Sequence, residues 1–201
     1  MMRINNPLDD IFQSKNNARI LRQLALFPSR VVTGRGLARE LGMNHATCIR
    51  ALNALVDIGA VSRKTVGKSS VYEMPGDSVL YKELLKPLFE KEANLLNDLV
   101  MILSKGMRQS LLSIYLFGSV ARGDDTPASD IDIAFVLKSG VDKRKTEEAL
   151  GVNEREVYSL YRIGTNVLLY TFEEFERMRK SGHPLVKEIM SEGILLSGKE
   201  Q

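Results

Sequence analysis

Two neighbouring runs decide how the carboxyl half of this chain folds. The first is Ser113-Ile114-Tyr115-Leu116-Phe117-Gly118-Ser119-Val120-Ala121-Arg122-Gly123. After the polar loop Asp124-Asp125-Thr126-Pro127-Ala128-Ser129 comes the second, Asp130-Ile131-Asp132-Ile133-Ala134-Phe135-Val136-Leu137. Each carries a short apolar segment of strand character, one ending at Gly118-Ser119 and the other beginning at Asp130. Asp130 and Asp132 stand two apart in an extended segment, so both side chains emerge on one face while Ile131 and Ile133 go to the other. Carboxylates held side by side repel each other, and a cation offsets that repulsion. Ligands offering only oxygen favour magnesium, or manganese in its place, with water and substrate phosphates completing an octahedron.

Gly118-Ser119 supplies the complementary part. A small residue leaving a strand lets backbone N–H groups approach a phosphate, and the Ser119 hydroxyl adds a donor. Arg122 brings positive charge to the same phosphates. Together the two runs predict a nucleoside triphosphate held between anion-binding amides and a metal on paired aspartates. Such an arrangement serves phosphoryl or nucleotidyl transfer, where positioning and charge neutralisation dominate catalysis.

These residues resemble the nucleotidyltransferase superfamily of DNA polymerase β-like fold, most closely its minimal nucleotidyltransferase members. The family signature, hG-S-x-A-R-G followed by a loop and S-D-I-D-hydrophobic, stands here as Phe117-Gly118-Ser119-Val120-Ala121-Arg122-Gly123 and Ser129-Asp130-Ile131-Asp132-Ile133. The resemblance extends over roughly residues 107–197. It implies that Asp130 and Asp132 are the catalytic metal ligands and that Gly118 and Ser119 hold the nucleotide phosphates. It also implies transfer of a nucleoside monophosphate from an NTP to a hydroxyl or similar acceptor, with release of pyrophosphate.

The family supplies a third carboxylate from a later strand, commonly before a Thr-x-Glu-Glu-like turn into a helix. Here that strand is Thr165–Tyr170, leading into Thr171-Phe172-Glu173-Glu174-Phe175. Depending on register, the third position falls on Asn166 or Leu168, and neither is ionisable. In a two-metal mechanism the third carboxylate holds the second ion and activates the acceptor. Asn166 offers a metal a neutral oxygen but cannot serve as a base. Asp124, Asp125, Glu173 and Glu174 are the acids available to stand in for it. Two outcomes stay open: an active transferase, or a transcription regulator whose degenerate transferase domain binds nucleotide as a sensor.

The amino half has a different character. Ala18, Leu21, Leu24 and Ala25 recur at helical spacing through roughly Lys15–Phe27, and Pro28-Ser29 stops that helix. Thr33 caps a second helix carrying Leu37, Ala38 and Leu41 before Gly42. Asn44 caps a third, with Cys48, Leu52 and Leu55 at i, i+4 and i+7, closed by Gly59. The strand-like Val61–Val66 and Ser70–Met74 then flank Gly67-Lys68-Ser69, the composition of a hairpin.

Three helices followed by a basic hairpin, over about residues 8–75, resemble the winged-helix DNA-binding domain. The resemblance implies that the third helix enters the major groove of double-stranded DNA, with Asn44, His45, Thr47, Arg50 and Asn53 on or near its outer face. Arg50 would reach guanine or phosphate, and Asn44 and Asn53 adenine edges. Arg63, Lys64 and Lys68 on the wing would meet phosphate or minor groove. The alternative is a winged helix used for protein contacts. Cys48 reads as an inert buried thiol and His45 as a groove or surface residue.

Composition agrees with two modules. The 201 residues carry 44% hydrophobic and 26% charged side chains, which excludes wholesale disorder. Residues 1–75 hold 11 Lys and Arg against 5 Asp and Glu, and residues 76–201 hold 17 against 20, a basic half joined to an acidic one. No apolar stretch is long enough to span a bilayer, Met1–Asp10 has no apolar secretory core, and Cys48 stands alone, so the chain is expected to be cytoplasmic. Lys143-Arg144-Lys145 is most simply a solvated run at a helix start, and His183 before Pro184 a surface or cap residue.

Between the modules, Pro87 suits the first turn of a helix whose Leu88, Leu95, Leu96, Leu99, Val100 and Leu103 make an apolar stripe. That stripe either packs on its own domain or forms a homodimer seam through residues 78–104. The expected fold is therefore α+β: an N-terminal winged helix over residues 1–75, a linking helix over 76–106, and a C-terminal mixed-sheet nucleotidyltransferase-like α/β domain over 107–201.

Overall fold

A computed structural model describes residues 4–198 and divides the chain between Asn94 and Leu95 into two compact units. The first opens with α1 (Pro7–Ile11), a short helix that the apolar spacing did not announce, and continues with α2 (Lys15–Leu26). The Ser14 side chain caps α2, accepting from the Asn17 amide at 3.1 Å. Then follow β1 (Val32–Thr33), α3 (Gly34–Glu40) capped by Thr33, and α4 (His45–Asp57) capped by Asn44. The hairpin is β2 (Ser62–Val66) and β3 (Ser69–Glu73), turned at Gly67-Lys68 with Gly67 at φ +60°.

β1 adds a third strand to the wing, in the order β1-β3-β2, with Val32 opposite Tyr72. Two residues of pairing are too short to leave a periodic signal. Ile20, Leu21, Leu37, Cys48, Leu52 and Leu55 fill the core at full burial, each such large side chain contributing about 1.5–3 kcal/mol. Three helices closed by this sheet make the unit a winged helix.

The segment after the wing does not form a separate layer. A π-helical turn (Leu80–Leu85) runs into α5 (Lys86–Leu103), and Pro87 lies in the first turn of α5 as its missing N–H requires. Leu80, Tyr81, Leu85 and Phe89 belong to the core of the first unit, whereas Leu99, Val100 and Leu103 belong to that of the second. Leu88 and Leu95 of the stripe remain exposed.

In the second unit, β4 (Leu111–Phe117) leads into α6 (Gly118–Arg122), β5 (Ile131–Leu137) and α7 (Lys143–Tyr161). β6 (Thr165–Tyr170), α8 (Phe172–Lys180), α9 (Pro184–Glu192) and β7 (Ile194–Gly198) complete it. The sheet order is β6-β5-β4-β7, with β5 and β6 parallel through α7 and the other pairs antiparallel, a mixed sheet.

Both faces of the central strands are covered. Ile114, Leu116, Ile131, Ile133 and Phe135 pack with Leu150 and Val157 of α7. Tyr115, Phe117, Ala134 and Val136 pack with Phe175, Val186 and Ile189 of α8 and α9. Two-sided burial explains the nearly unbroken apolar runs of β4 and β5. Buried Asn153 of α7 donates to the carbonyls of Leu103 at 2.9 Å and Lys105 at 3.0 Å, satisfying acceptors at and just beyond the end of α5. No helix among the described residues is long and apolar enough to cross a membrane.

Candidate functional site

The acidic site forms where β4 ends and β5 begins. Phe117 pairs with Asp132 across β4 and β5, and Asp132 with Asn166 across β5 and β6, so three strands meet at one rim of the sheet. Ile131 and Ile133 are buried on one face, which leaves Asp130, just ahead of β5, and Asp132 on the other.

Each aspartate rests against a glycine. Gly118 has φ +70°, and a Cβ there would stand 3.1 Å from Asp132 Cγ and touch its Oδ2. A Cβ on Gly164 would stand 2.9 Å from Asp130 Cγ and touch its Oδ1. Sequence reasoning singled out Gly118 through its Gly-Ser signature and missed Gly164, whose role depends on a strand 34 residues beyond Asp130. At the start of α6 the amides of Gly118 and Ser119 open the helix, and Phe117 makes no side-chain cap bond. The first N–H groups of a helix lack partners within it, which suits an anion.

The register resolves the choice between Asn166 and Leu168. Asn166 lies beside Asp132 and donates from Nδ2 to its Oδ1 at 2.9 Å, whereas Leu168 pairs with Ala134 deeper in the sheet. Of the candidate substitutes for a third acid, Glu173 and Glu174 lie elsewhere and Asp124 is paired. Glu173 and Glu174 follow β6 at its far end, roughly 13 Å along the strand from Asn166 to Tyr170 at the usual rise per residue. There Glu174 closes a capping box with Thr171 and accepts from Lys143 Nζ at 2.7 Å, and this bond holds its carboxyl below the usual range. Asp124 pairs with Arg122 at 3.4 Å. Among the described residues no three His, Cys, Asp or Glu side chains gather as a metal-binding group.

Arg122 directs its guanidinium to carboxylates, Asp124 at 3.4 Å, Glu188 at 3.5 Å and Glu192 at 3.8 Å. A phosphate contact from Arg122 therefore requires exchange of exposed ion pairs, each worth at most about 1 kcal/mol. The two aspartates are hard oxygen donors at a rim with room left by glycine. They suit a divalent cation that draws its remaining ligands from water and phosphate oxygens.

In the winged helix, α4 presents His45 and Arg50 as exposed and Thr47 and Asn53 as half-buried. Asn44 is exposed, but its Oδ1 accepts from the amides of Ala46 at 2.9 Å and Thr47 at 3.4 Å, so the cap occupies the acceptor expected to read adenine. Arg50 donates to Thr47 Oγ1 at 3.4 Å, and Arg63 to Asn53 Oδ1 at 3.4 Å. Lys64 forms an ion pair with Glu73 across the hairpin, and Lys68 stands exposed at its turn. His45, Ile49, Asn53 and Arg63 line a basin of about 600 Å³ together with Arg35 and Tyr72. Arg35 was not singled out from the sequence, although a basic residue at the start of α3 was the available signal. Cys48 is fully buried, and burial pushes its thiol up, in keeping with an inert core residue. His183 is the exposed N-cap residue of α9 and makes no side-chain cap bond.

Residues 100–196 match the family model of the nucleotidyltransferase domain. A protein of Methanocaldococcus jannaschii, provisionally named a protein adenylyltransferase, is 29% identical over 98 residues, or 49% of this chain and 66% of the relative. The match thus spans slightly less than two thirds of that protein. Among solved structures, a toxin–antitoxin structure with AMP-PNP is 23% identical at a TM-score of 0.38, over 52% of this chain and 74% of that one. The adhesin competence repressor AdcR from Streptococcus pyogenes is 17% identical at a TM-score of 0.38, over 50% of this chain and 71% of that one.

Proposed function

We propose that this chain is a DNA-binding nucleotidyltransferase that moves a nucleoside monophosphate, AMP in the first instance, from an NTP to a hydroxyl acceptor. One observation carries the enzymatic part: Asp130 and Asp132 share a sheet rim beside the Gly118-Ser119 turn, each seated where a glycine leaves space for its carboxylate. The nucleotidyltransferase match over residues 100–196 supports it. The adenylyltransferase name of the archaeal relative favours ATP as donor and a protein side chain as acceptor.

Asp130 and Asp132 hold magnesium or manganese, while the amides of Gly118 and Ser119 and the Ser119 hydroxyl bind phosphate oxygens. A divalent ion there supplies charge neutralisation of the triphosphate. In the transfer, the acceptor oxygen bonds to the α-phosphorus and its proton passes to solvent water. The bond from that phosphorus to the bridging oxygen breaks, and pyrophosphate leaves with the electron pair. The winged helix docks duplex DNA through Arg50, His45, Thr47 and Asn53 of α4 and through Arg63, Lys64 and Lys68 of the wing, with Asn44 contributing its free amide N–H groups.

α-Labelled ATP incubated with magnesium and candidate protein acceptors, this chain among them, tests the proposal. Label transfer is expected, and Asp130→Ala or Asp132→Ala should lower it about 1000-fold, equivalent to about 4 kcal/mol. Transfer that survives both substitutions overturns the assignment. Asn166 favours a second reading, because it puts an amide where the family has an acid: a DNA-binding regulator that senses nucleotide without turnover. Magnesium-dependent ATP binding without label transfer to any acceptor would select it.

A further inference from the structure

We infer that Asn166 is a positioning residue that fixes Asp132 and limits the acidic site to a single divalent cation; this deepens the nucleotidyltransferase proposal and rests on it. Parallel pairing of β5 and β6 sets Asn166 directly beside Asp132, and its Nδ2 donates to Asp132 Oδ1 at 2.9 Å. The other oxygen, Oδ2, lies against Gly118. Asp132 thus accepts a charge-assisted hydrogen bond at Oδ1, while its Oδ2 occupies the space that a side chain at position 118 would fill.

An acid at position 166 would repel Asp132 at this separation unless a cation lay between them. The amide removes that requirement, because its N–H supplies the positive end that a second cation would otherwise provide. Among the described residues no third acid, histidine or cysteine joins the pair. Glu174 is bound to Lys143 beyond the opposite end of β6.

The test is a Mn2+ titration of the full chain, followed by electron paramagnetic resonance, with α,β-methylene ATP equimolar to protein and a nucleotide-only control. The wild-type complex should take up one Mn2+ per chain and the Asn166→Asp complex two. Without Mn2+, Asn166→Asp should melt lower than wild type and regain that loss on Mn2+ addition, as two facing carboxylates demand. Asn166→Ala should keep the count at one but bind Mn2+ several-fold more weakly, because Asp132 is no longer fixed. Two ions on the wild type, one on a folded Asn166→Asp, or unchanged affinity in Asn166→Ala each overturns the inference alone. A wild-type chain that takes up neither nucleotide nor Mn2+ overturns the proposed function along with it.

Discussion

Replacing each of the two glycines beneath the aspartates separates backbone strain from loss of the carboxylate seat. Gly118 sits at φ +70°, where an alanine costs about 1–2 kcal/mol in backbone strain. Its new Cβ would also stand 3.1 Å from Asp132 Cγ and 3.3 Å from Asp132 Cβ, forcing that side chain off its rotamer for about 0.5–1.5 kcal/mol more. Gly118→Ala should therefore lose about 1.5–3.5 kcal/mol, a fall of roughly 7–17 °C in melting temperature for a unit of about 100 residues. Gly164 is not among the positive-φ glycines, and its Cβ would meet only the side chain of Asp130, which is exposed and free to swing outward. Gly164→Ala should thus melt within a few degrees of wild type. Both variants should lose at least about tenfold in affinity for α,β-methylene ATP with Mn2+, or about 1.4 kcal/mol. Thermal unfolding and calorimetric titration of the full chain read the two effects separately. Wild-type nucleotide affinity in both variants would refute the seat, and an unshifted melt in Gly118→Ala would refute the strain.

Three further outcomes follow from the geometry. In fluorescence anisotropy on duplex DNA, Arg50→Ala should weaken binding more than Lys64→Ala, since Lys64 is paired with Glu73, and each lost phosphate contact should flatten the log–log salt slope by about 0.9. Lys143 holds the Glu174 carboxyl down, so its stabilisation is full above the ordinary carboxylate pKa near 4.5 and disappears as pH falls through the lowered folded value. Lys143→Met should leave a shallower loss of melting temperature across that acid window in a series from pH 7 to pH 3. Asn153→Ala strips two buried-side bonds, at 2.9 and 3.0 Å, from the Leu103 and Lys105 carbonyls. It should cost about 1–3 kcal/mol in urea unfolding, and a variant as stable as wild type would mean that water replaces both bonds.

The amino-acid sequence alone determined what depends on near neighbours. Caps at Thr33 and Asn44, the Gly67-Lys68 turn, the i, i+4, i+7 burial of Cys48, Leu52 and Leu55, and the two-residue alternation around Asp132 follow from local backbone periods. The Gly118-Ser119 and Asp130-Ile131-Asp132 signatures were legible for the same reason. Only the tertiary structure decided that Asn166 and not Leu168 faces Asp132, because the β5–β6 register is set across the whole of α7 by which apolar face each strand buries. It also decided that Gly164 seats Asp130, that α5 divides its apolar stripe between two cores, and that Glu174 serves a cap at the far end of the sheet. Contacts between residues distant in the chain leave no period behind them, so they become visible once the strands are paired.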